Sequence, residues 1–178
     1  MRRSKPKQRL NLKRRILFWV FKFFFVIFLL SLLPVVIYRY VNPLTTPLMW
    51  IRWMETGSLQ PPPVILKDWV PLKDISNDLI KAVVSTEDGK FFEHAGFDWG
   101  AILDAFLHNL NSDKKLGAST ITMQTARNAF LWQNRTWIRK TLEAYYTILI
   151  EMFWNKARIL EVYLNIIEWG DGIFGCSQ

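Results

Sequence analysis

Two polar stretches decide the fold and the site predicted for this chain: Thr86-Glu87-Asp88-Gly89-Lys90-Phe91-Phe92-Glu93-His94-Ala95-Gly96-Phe97-Asp98 and Gly117-Ala118-Ser119-Thr120-Ile121-Thr122-Met123-Gln124. The first supplies carboxylates, and the second supplies hydroxyl side chains behind a glycine. A cationic segment that contains one carboxylate, Arg139-Lys140-Thr141-Leu142-Glu143, follows them. Carboxylates can transfer protons, and clustered cations can stabilise an anionic leaving group. Together the three segments predict a catalytic site.

The residues around these stretches have the spacing of helices. Ser76 is expected to cap one helix, which runs through Val84, and Asp98 is expected to cap the next. The apolar face of that second helix contains Ile102, Leu103, Phe106 and Leu107.

Three further helices are predicted towards the C-terminus. One begins at Ser119 or Thr120 and runs towards Phe130, and the others cover residues 135–154 and 156–167. On the helix at 135–154 the side chains predicted to face inward are Ile138, Leu142, Tyr145, Tyr146, Leu149 and Phe153. On the helix at 156–167 they are Ile159, Leu160, Tyr163, Leu164 and Ile167. No run alternates strictly enough to require a sheet, so the folded body is predicted to be mainly α-helical.

The net charge of +8 belongs to the N-terminal tail, residues 1–15, and not to the body. The basic side chains of the tail are Arg2, Arg3, Lys5, Lys7, Arg9, Lys13, Arg14 and Arg15. The rest of the chain has equal numbers of basic and acidic residues. A nucleic-acid-binding domain carries its positive excess on the folded body, so no nucleic-acid partner is expected.

Residues 16–38 form an apolar run long enough to cross a hydrocarbon core of about 30 Å as a helix. Lys22 lies near its start and can extend to the headgroups. The run is too long for the hydrophobic region of a signal peptide, and no small-residue cleavage site follows it. We therefore predict an uncleaved transmembrane anchor with the basic tail in the cytoplasm.

Residues 39–67 are rich in proline and are predicted to form a juxtamembrane linker ahead of a domain at 68–178. Between the prolines lies the aromatic, apolar segment 48–54. Two structures remain open for this segment: it lies on the outer membrane surface, or it forms a helix packed on the domain.

Glu87 is the first candidate for chemistry. It follows the apolar run 82–84 and precedes Gly89, so it should lie where a helix opens onto a loop. A carboxylate held there beside Phe91 can act as a general base or acid. An ordinary solvated carboxylate at a helix end has the same local sequence.

His94 is interpreted as a hydrogen-bonded loop residue in preference to a proton shuttle.

Residues 117–124 open a helix, and the free N–H groups of a helix N-terminus favour anions. The cations that follow are Arg127, Arg135, Arg139 and Lys140. They can neutralise a departing pyrophosphate, although a solvated basic face has the same spacing. Glu143 is then a second acid in the cleft or the partner in an intrahelical ion pair. Zinc-protease and serine-hydrolase chemistry are not expected, because neither H-E-x-x-H nor G-x-S-x-G occurs.

These segments together resemble the glycosyltransferase domain of peptidoglycan polymerases (glycosyltransferase family 51). That domain occurs in class A penicillin-binding proteins and in monofunctional biosynthetic peptidoglycan transglycosylases. The similarity covers roughly residues 68–175 and ends in Lys156-Ala157-Arg158-Ile159-Leu160-Glu161-Val162-Tyr163-Leu164-Asn165. Four ordered motifs make it specific, and Phe130-Leu131-Trp132 is most similar to the monofunctional proteobacterial type.

The resemblance implies a lysozyme-like helical fold and processive polymerisation of lipid II into a nascent glycan strand. Glu87 matches the catalytic base, which deprotonates the GlcNAc 4-hydroxyl of the acceptor. That oxygen attacks C1 of the donor MurNAc with inversion, and undecaprenyl pyrophosphate leaves. Glu143 matches a second essential acid, thought to position substrate or a divalent cation (Mg or Mn); no metal ligand is assigned on the chain.

The resemblance also implies a set of substrate-binding residues and a location. The substrate-binding residues are Ser119, Thr120, Gln124, Arg127, Arg135, Arg139 and Lys140. The implied location is the bacterial inner membrane, with the catalytic domain in the periplasm and other cell-wall synthesis proteins as further partners.

Two departures from the family pattern stand out. Met123 stands where the family usually has Gln, which should remove a polar contact in the cleft, and Arg127 stands where Lys is common. The family domain continues for several helices beyond Gln178, so a domain truncated at its C-terminus is expected.

Two other functions are compatible with the same motifs. One is a lysozyme-like glycan-cleaving enzyme, which would not need the cations, and the other is a non-catalytic, membrane-anchored assembly partner.

Overall fold

The computed structural model describes residues 6–56, 68–170 and 173–176, with side chains from Leu12 onward. Its helices are α1 (Pro6–Tyr40), α2 (Pro47–Thr56), α3 (Asn77–Glu87), α4 (Trp99–Asn111), α5 (Ile121–Phe130), α6 (Trp137–Phe153) and α7 (Lys156–Ile166), with a 3-10 helix at Leu72–Asp74. An antiparallel hairpin of β1 (Glu168–Gly170) and β2 (Ile173–Phe174) follows α7. The mainly α-helical body predicted from the sequence is confirmed. The hairpin was not predicted, because strands this short leave no alternating pattern.

The helices from α3 onward begin at residues whose side chains accept a hydrogen bond from the first helical turn. The N-caps are Ser76, Asp98, Thr120, Thr136 and Asn155. Each side-chain oxygen satisfies a backbone N–H that has no intrahelical partner. The predicted starts at Ser76 and Asp98 are therefore confirmed, and of the two options for the third helix the structure has Thr120.

The core forms where α5 packs against both α6 and α7. Ile121 on α5, Ile150 on α6 and Leu164 on α7 are all fully buried. Of the inward residues predicted for α7, only Ile167 is half-buried rather than buried. α5, which carries much of the predicted site, is thereby fixed on two sides.

Helix α6 buries only part of the face that was predicted: Leu149 is buried, and Tyr145, Tyr146 and Phe153 pack against the core. Ile138 is 71% exposed, so its inward assignment is wrong. The buried face contains Arg139, Glu143 and Thr147 instead, together with Leu149 and Ile150. Charged side chains are seldom fully buried unless paired, so hydrophobic spacing alone did not reveal that Arg139 and Glu143 are buried.

Helix α4 has the predicted apolar face, but no described element covers it. None of its residues is buried, and Leu103, Phe106 and Leu107 are about half exposed or more.

Helix α1 has the length and composition of a membrane span, since an 18-residue window within Leu12–Tyr40 has a mean hydropathy of 2.7. Its side chains are exposed along 12–30 and begin to pack on the domain at Ser31. Helix α2, within the predicted linker, packs on α5 and buries Leu48 and Met49. Of the two structures left open for 48–54, the structure has the packed helix. Residues 57–67 of the predicted linker lie outside the described residues.

Candidate active site

A cleft of about 350 Å³ lies between the C-terminal end of α3, the start of α4 and the segment that precedes α5. It is lined by Thr86, Glu87, Asp88, Gly89, Lys90, Asp98, Ala101, Asp104, Gly117, Ala118, Ser119 and Thr120. The two stretches singled out in the sequence therefore meet across one cavity. Carboxylates and hydroxyls dominate its lining, which suits a polar substrate.

Glu87 is the last residue of α3 and is exposed at this cleft. Gln124 Nε2 donates a 2.8 Å hydrogen bond to Glu87 Oε2, while Oε1 has no partner among the described residues. The Tyr163 hydroxyl in turn donates to Gln124 Oε1 over 3.4 Å. The carboxylate is thus held by one oxygen and free at the other, as a general base requires.

Burial raises the pKa of Tyr163 far above its ordinary value, the Glu87 charge raises it further, and Arg127 opposes both. Tyr163 is fully buried. It therefore stays a neutral hydroxyl and remains a donor to Gln124. The charges of Glu87 and Arg127 thus both act on Tyr163.

Asp88 ties the loop after α3 to the start of α5. His94 Nε2 lies 2.8 Å from Asp88 Oδ1, and the Ile121 backbone N–H donates to Asp88 Oδ2 over 3.0 Å. The Asp88 side chain is only 3% exposed. The interpretation of His94 as a hydrogen-bonded loop residue is confirmed, and the same contacts fix the position of neighbouring Glu87.

Gly96 brings this loop against α6. The Thr120 hydroxyl donates to Gly96 O over 2.7 Å. Gly96 has a φ of +86°, and a Cβ there would lie 2.7 Å from Thr147 Cγ2 and 2.9 Å from Glu151 Cγ. Only glycine allows both this conformation and this approach.

The second predicted acid, Glu143, belongs to a separate buried cluster on α6. It is 1% exposed, and its two carboxylate oxygens lie 2.5 Å from Arg139 Nη1 and 2.5 Å from Lys140 Nζ. The intrahelical ion pair left open by the sequence is thus present. None of these three residues lines the cleft, so the structure does not bring Glu143 together with Glu87 in one cavity.

The remaining predicted substrate-binding residues differ in their exposure and in whether their polar groups already have hydrogen-bond partners. Ser119 lines the cleft, whereas Thr120 is buried there with its hydroxyl occupied. Arg127 is half-buried, and its Nε lies 3.3 Å from Asn128 Oδ1. Arg135 is exposed and makes no hydrogen bond or ion pair with any described residue.

The expectation that Met123 removes a polar contact in the cleft is wrong. Its side chain is 4% exposed and is not part of the cleft lining. Position 123 precedes Gln124 on α5 and therefore points about 100° away from it around the helix axis. The substitution changes the interior of the domain and leaves the polar contact at Gln124 in place.

The described residues do not fit a divalent cation at Glu143. Both of its oxygens already accept from cationic side chains. Within the described part of the chain, no group of three or more His, Cys, Asp or Glu side chains is placed to hold a metal ion.

Sequence reasoning missed several cleft and supporting residues, among them Lys90, Asp104 and Tyr163. Tyr163 was assigned to the core from its spacing, and nothing in that spacing shows which end of the ring meets Gln124. Asp98 was recognised only as a helix cap. The bond from the Ala101 N–H, aided by the charge of Lys90, lowers the pKa of Asp98, which therefore stays ionised at the cleft.

Comparison with known proteins identifies the family. The transglycosylase family model matches residues 63–178, which include the cleft and both motif stretches. This chain belongs to the transglycosylase family. The match confirms the family and the lysozyme-like fold class expected from the sequence.

Named relatives of this transglycosylase agree. A biosynthetic peptidoglycan transglycosylase of Bdellovibrio bacteriovorus is 51% identical over 88% of this chain and 63% of the relative. One of Ectopseudomonas mendocina is 47% identical over 94% of this chain and 67% of the relative. One of Rhodospirillum centenum is 52% identical over 79% of this chain and 58% of the relative. The chain thus spans 58–67% of the length of these three relatives.

Proposed function

We propose that this transglycosylase polymerises lipid II into glycan strands during peptidoglycan synthesis. The observation that carries the proposal is Glu87, a carboxylate at the cleft with one oxygen anchored by Gln124 and the other free. The names of the relatives, biosynthetic peptidoglycan transglycosylases, support the same activity.

Glu87 acts as the general base. Its unpaired oxygen accepts the proton of the acceptor GlcNAc 4-hydroxyl as that oxygen forms a bond to C1 of the donor MurNAc. The bond from C1 to the pyrophosphate oxygen breaks on the opposite face, so the anomeric centre inverts. A base placed within hydrogen-bond reach contributes about 10²–10⁴-fold to such a step.

The cations on α5, on α6 and in the segment between them stabilise the leaving group. Undecaprenyl pyrophosphate gains negative charge as it departs, and fixed cations in a partly dry site stabilise that charge strongly. Arg135 is exposed and the Lys140 side chain is 43% exposed, so both can reach an anion. Arg127 belongs with them because it follows Gln124 by three residues on α5, on the same side of the helix, and its charge acts on Tyr163. Ser119 adds a hydroxyl at the cleft wall.

Glu143 positions these cations and does not take the reacting proton. From a nearly fully buried position it holds Arg139 and Lys140, consecutive residues one turn before it on α6. Removing it would release the Lys140 ammonium and leave the Arg139 charge unpaired.

The membrane helix accounts for access to a lipid-linked donor. In the proposed topology the basic tail is cytoplasmic and the domain faces the periplasm at the inner membrane, since positive charge beside a span stays inside. Other cell-wall synthesis proteins would then meet the domain on that side.

One incubation tests the function against its two alternatives. The purified chain in detergent is mixed with fluorescently labelled lipid II, and separately with preformed glycan, and the products are resolved by gel. Polymer from lipid II supports the proposal. Shortened glycan would indicate a cleaving enzyme, and unchanged substrates in both tubes would indicate a non-catalytic assembly partner.

A further inference from the structure

The outer end of the membrane helix is built into the folded domain. The hydroxyls of Ser31 and Tyr145 are hydrogen-bonded at 2.8 Å, and Trp154 Nε1 donates to Val35 O over 2.7 Å. Val35 is fully buried in the domain core. The exposed apolar part of α1, residues 16–30, is roughly 22 Å long at 1.5 Å per residue, shorter than the ~30 Å of a hydrocarbon core, so the packed end of α1 lies close to the outer membrane surface.

Arg158, on α7, caps the C-terminal end of α1 from outside that helix. Its Nη2 donates to Tyr38 O over 2.7 Å and to Val41 O over 3.0 Å, and its Nε donates to Tyr38 O over 3.0 Å. Its Nη1 donates to Asn42 Oδ1 over 2.8 Å. The last carbonyls of a helix lack intrahelical donors and carry partial negative charge. A planar guanidinium can bond several of them at once.

The other edge of Arg158 fixes it within the domain. Nη1 donates to Glu161 Oε1 over 2.6 Å, and the guanidinium lies 5.3 Å from the Trp69 ring centroid. Glu161 also accepts from Trp69 Nε1 and from the Leu72 N–H. One side chain, 13% exposed, thus joins the membrane helix, the segment at 69–72 and α7. Arg158 belongs to the motif at 156–165 but takes no part in the reaction proposed for the cleft.

We propose that Arg158 is a positioning residue that locks the membrane helix to the helices carrying the active site, so that the cleft keeps one height and orientation over the bilayer. The proposal rests on the proposed function, because a lipid-linked donor presents its pyrophosphate at a fixed depth. Helix α7 also carries Tyr163, the partner of Gln124. Arg158, which holds α1, and Tyr163, which orients Gln124, therefore lie on the same helix.

A direct test measures how rigidly the two parts are joined. Nitroxide labels are placed at Phe21 on α1 and Lys81 on α3, both exposed, in full-length C176S protein in lipid nanodiscs. Pulsed electron paramagnetic resonance then gives the distribution of distances between the two labels. This distribution should be narrow in the parent and at least about twice as broad in R158A. R158K should fall between, because a single ammonium cannot bond all four acceptors.

Arg52→Ala is the matched control. Arg52 is also an ion-paired arginine, joining α2 to the β1 strand through Glu168, and it makes no hydrogen bond or ion pair with the described part of α1. Its distribution should equal that of the parent. A folded R158A protein with the width of the parent would overturn the proposal. If R158A fails to fold, N42A and R158K replace it, and parent widths in both would overturn the proposal equally.

Activity gives an independent readout. In liposomes, R158A should raise the lipid II density needed for half-maximal rate by about fivefold and leave the maximal rate within about twofold, the pattern of impaired positioning. An unchanged half-saturating density would argue against a role in substrate access. If the parent fails to polymerise lipid II, the proposed function fails, while the width measurement still decides whether Arg158 locks the helix.

Discussion

Gln124 holds Glu87 by one oxygen only, through the 2.8 Å bond from Nε2 to Oε2. The amide is itself oriented by Tyr163, whose hydroxyl donates to Gln124 Oε1. An amide oriented in this way presents its N–H groups to the carboxylate and not its oxygen. The free oxygen of Glu87 is therefore fixed in direction and left unblocked.

Gln124→Ala should lower lipid II turnover by about 10–10²-fold, because the carboxylate loses the group that orients it. Stability should change by about 1 kcal/mol, since a single hydrogen bond is lost. Steady-state rates and urea unfolding measure the two effects. Asn111→Ala, which removes an exposed amide bonded only to its own helix, should leave both unchanged. Parent-like turnover in the Gln124 variant would exclude it as a positioning group.

The Tyr163 hydroxyl should make stability fall at high pH. Its pKa in the folded state is raised by burial and by the charge of Glu87, above an unfolded value of about 10. The folded state then holds the proton longer, so this stabilisation is complete below about pH 10 and is lost as pH rises towards the folded pKa. Urea unfolding at pH 9–11 should show a fall in the free energy of unfolding that is shallower in Tyr163→Phe. Tyr40→Phe, at a 74% exposed position, should retain the fall. Equal slopes in all three proteins would contradict the assignment.

Glu143→Ala should cost about 3–5 kcal/mol of stability, because it leaves the Arg139 charge buried at 8% exposure without its partner. Lys140→Ala should cost about 1 kcal/mol or less, since the lysine side chain is 43% exposed. Chemical denaturation of the two variants separates these predictions. Similar, small losses in both would show that the Arg139–Glu143 pair is solvated.

Gly96→Ala should destabilise the domain by about 2 kcal/mol or more, through backbone strain at positive φ and a clash with α6. Gly89→Ala is the control, because a Cβ there meets nothing within 4 Å. Thermal melting compares the two, and it should show a large drop only for the Gly96 variant. Equal melting temperatures would mean that the loop does not pack on Thr147 and Glu151 as described.

Local signals allowed much of the fold to be predicted. Ser76, Asp98 and Thr120 each begin a helix because their own side chains bond to the next turn, and such bonds depend on nearby residues alone. The position of Glu87 at a helix end also follows from nearby residues, because the apolar run 82–84 is followed by Gly89. These features need no knowledge of distant segments.

Long-range contacts decided what could not be predicted. The burial of Arg139 and Glu143 on α6 depends on how α5 packs against that helix and on the pairing of the two side chains, neither of which hydrophobic spacing reveals. The bond from Tyr163 to Gln124 joins residues 39 positions apart, and the bonds from Arg158 to Tyr38 span 120 positions. Neither contact leaves a periodic signal in the chain.

Turnover of lipid II by Glu87→Gln tests the central claim most directly. The amide keeps the shape of the side chain but cannot accept the acceptor's proton, so turnover should fall by about 10² or more, with an unchanged circular dichroism spectrum. Turnover within a few-fold of the parent, in a protein with the same spectrum, would contradict the account, because the free oxygen of Glu87 would then not be the base.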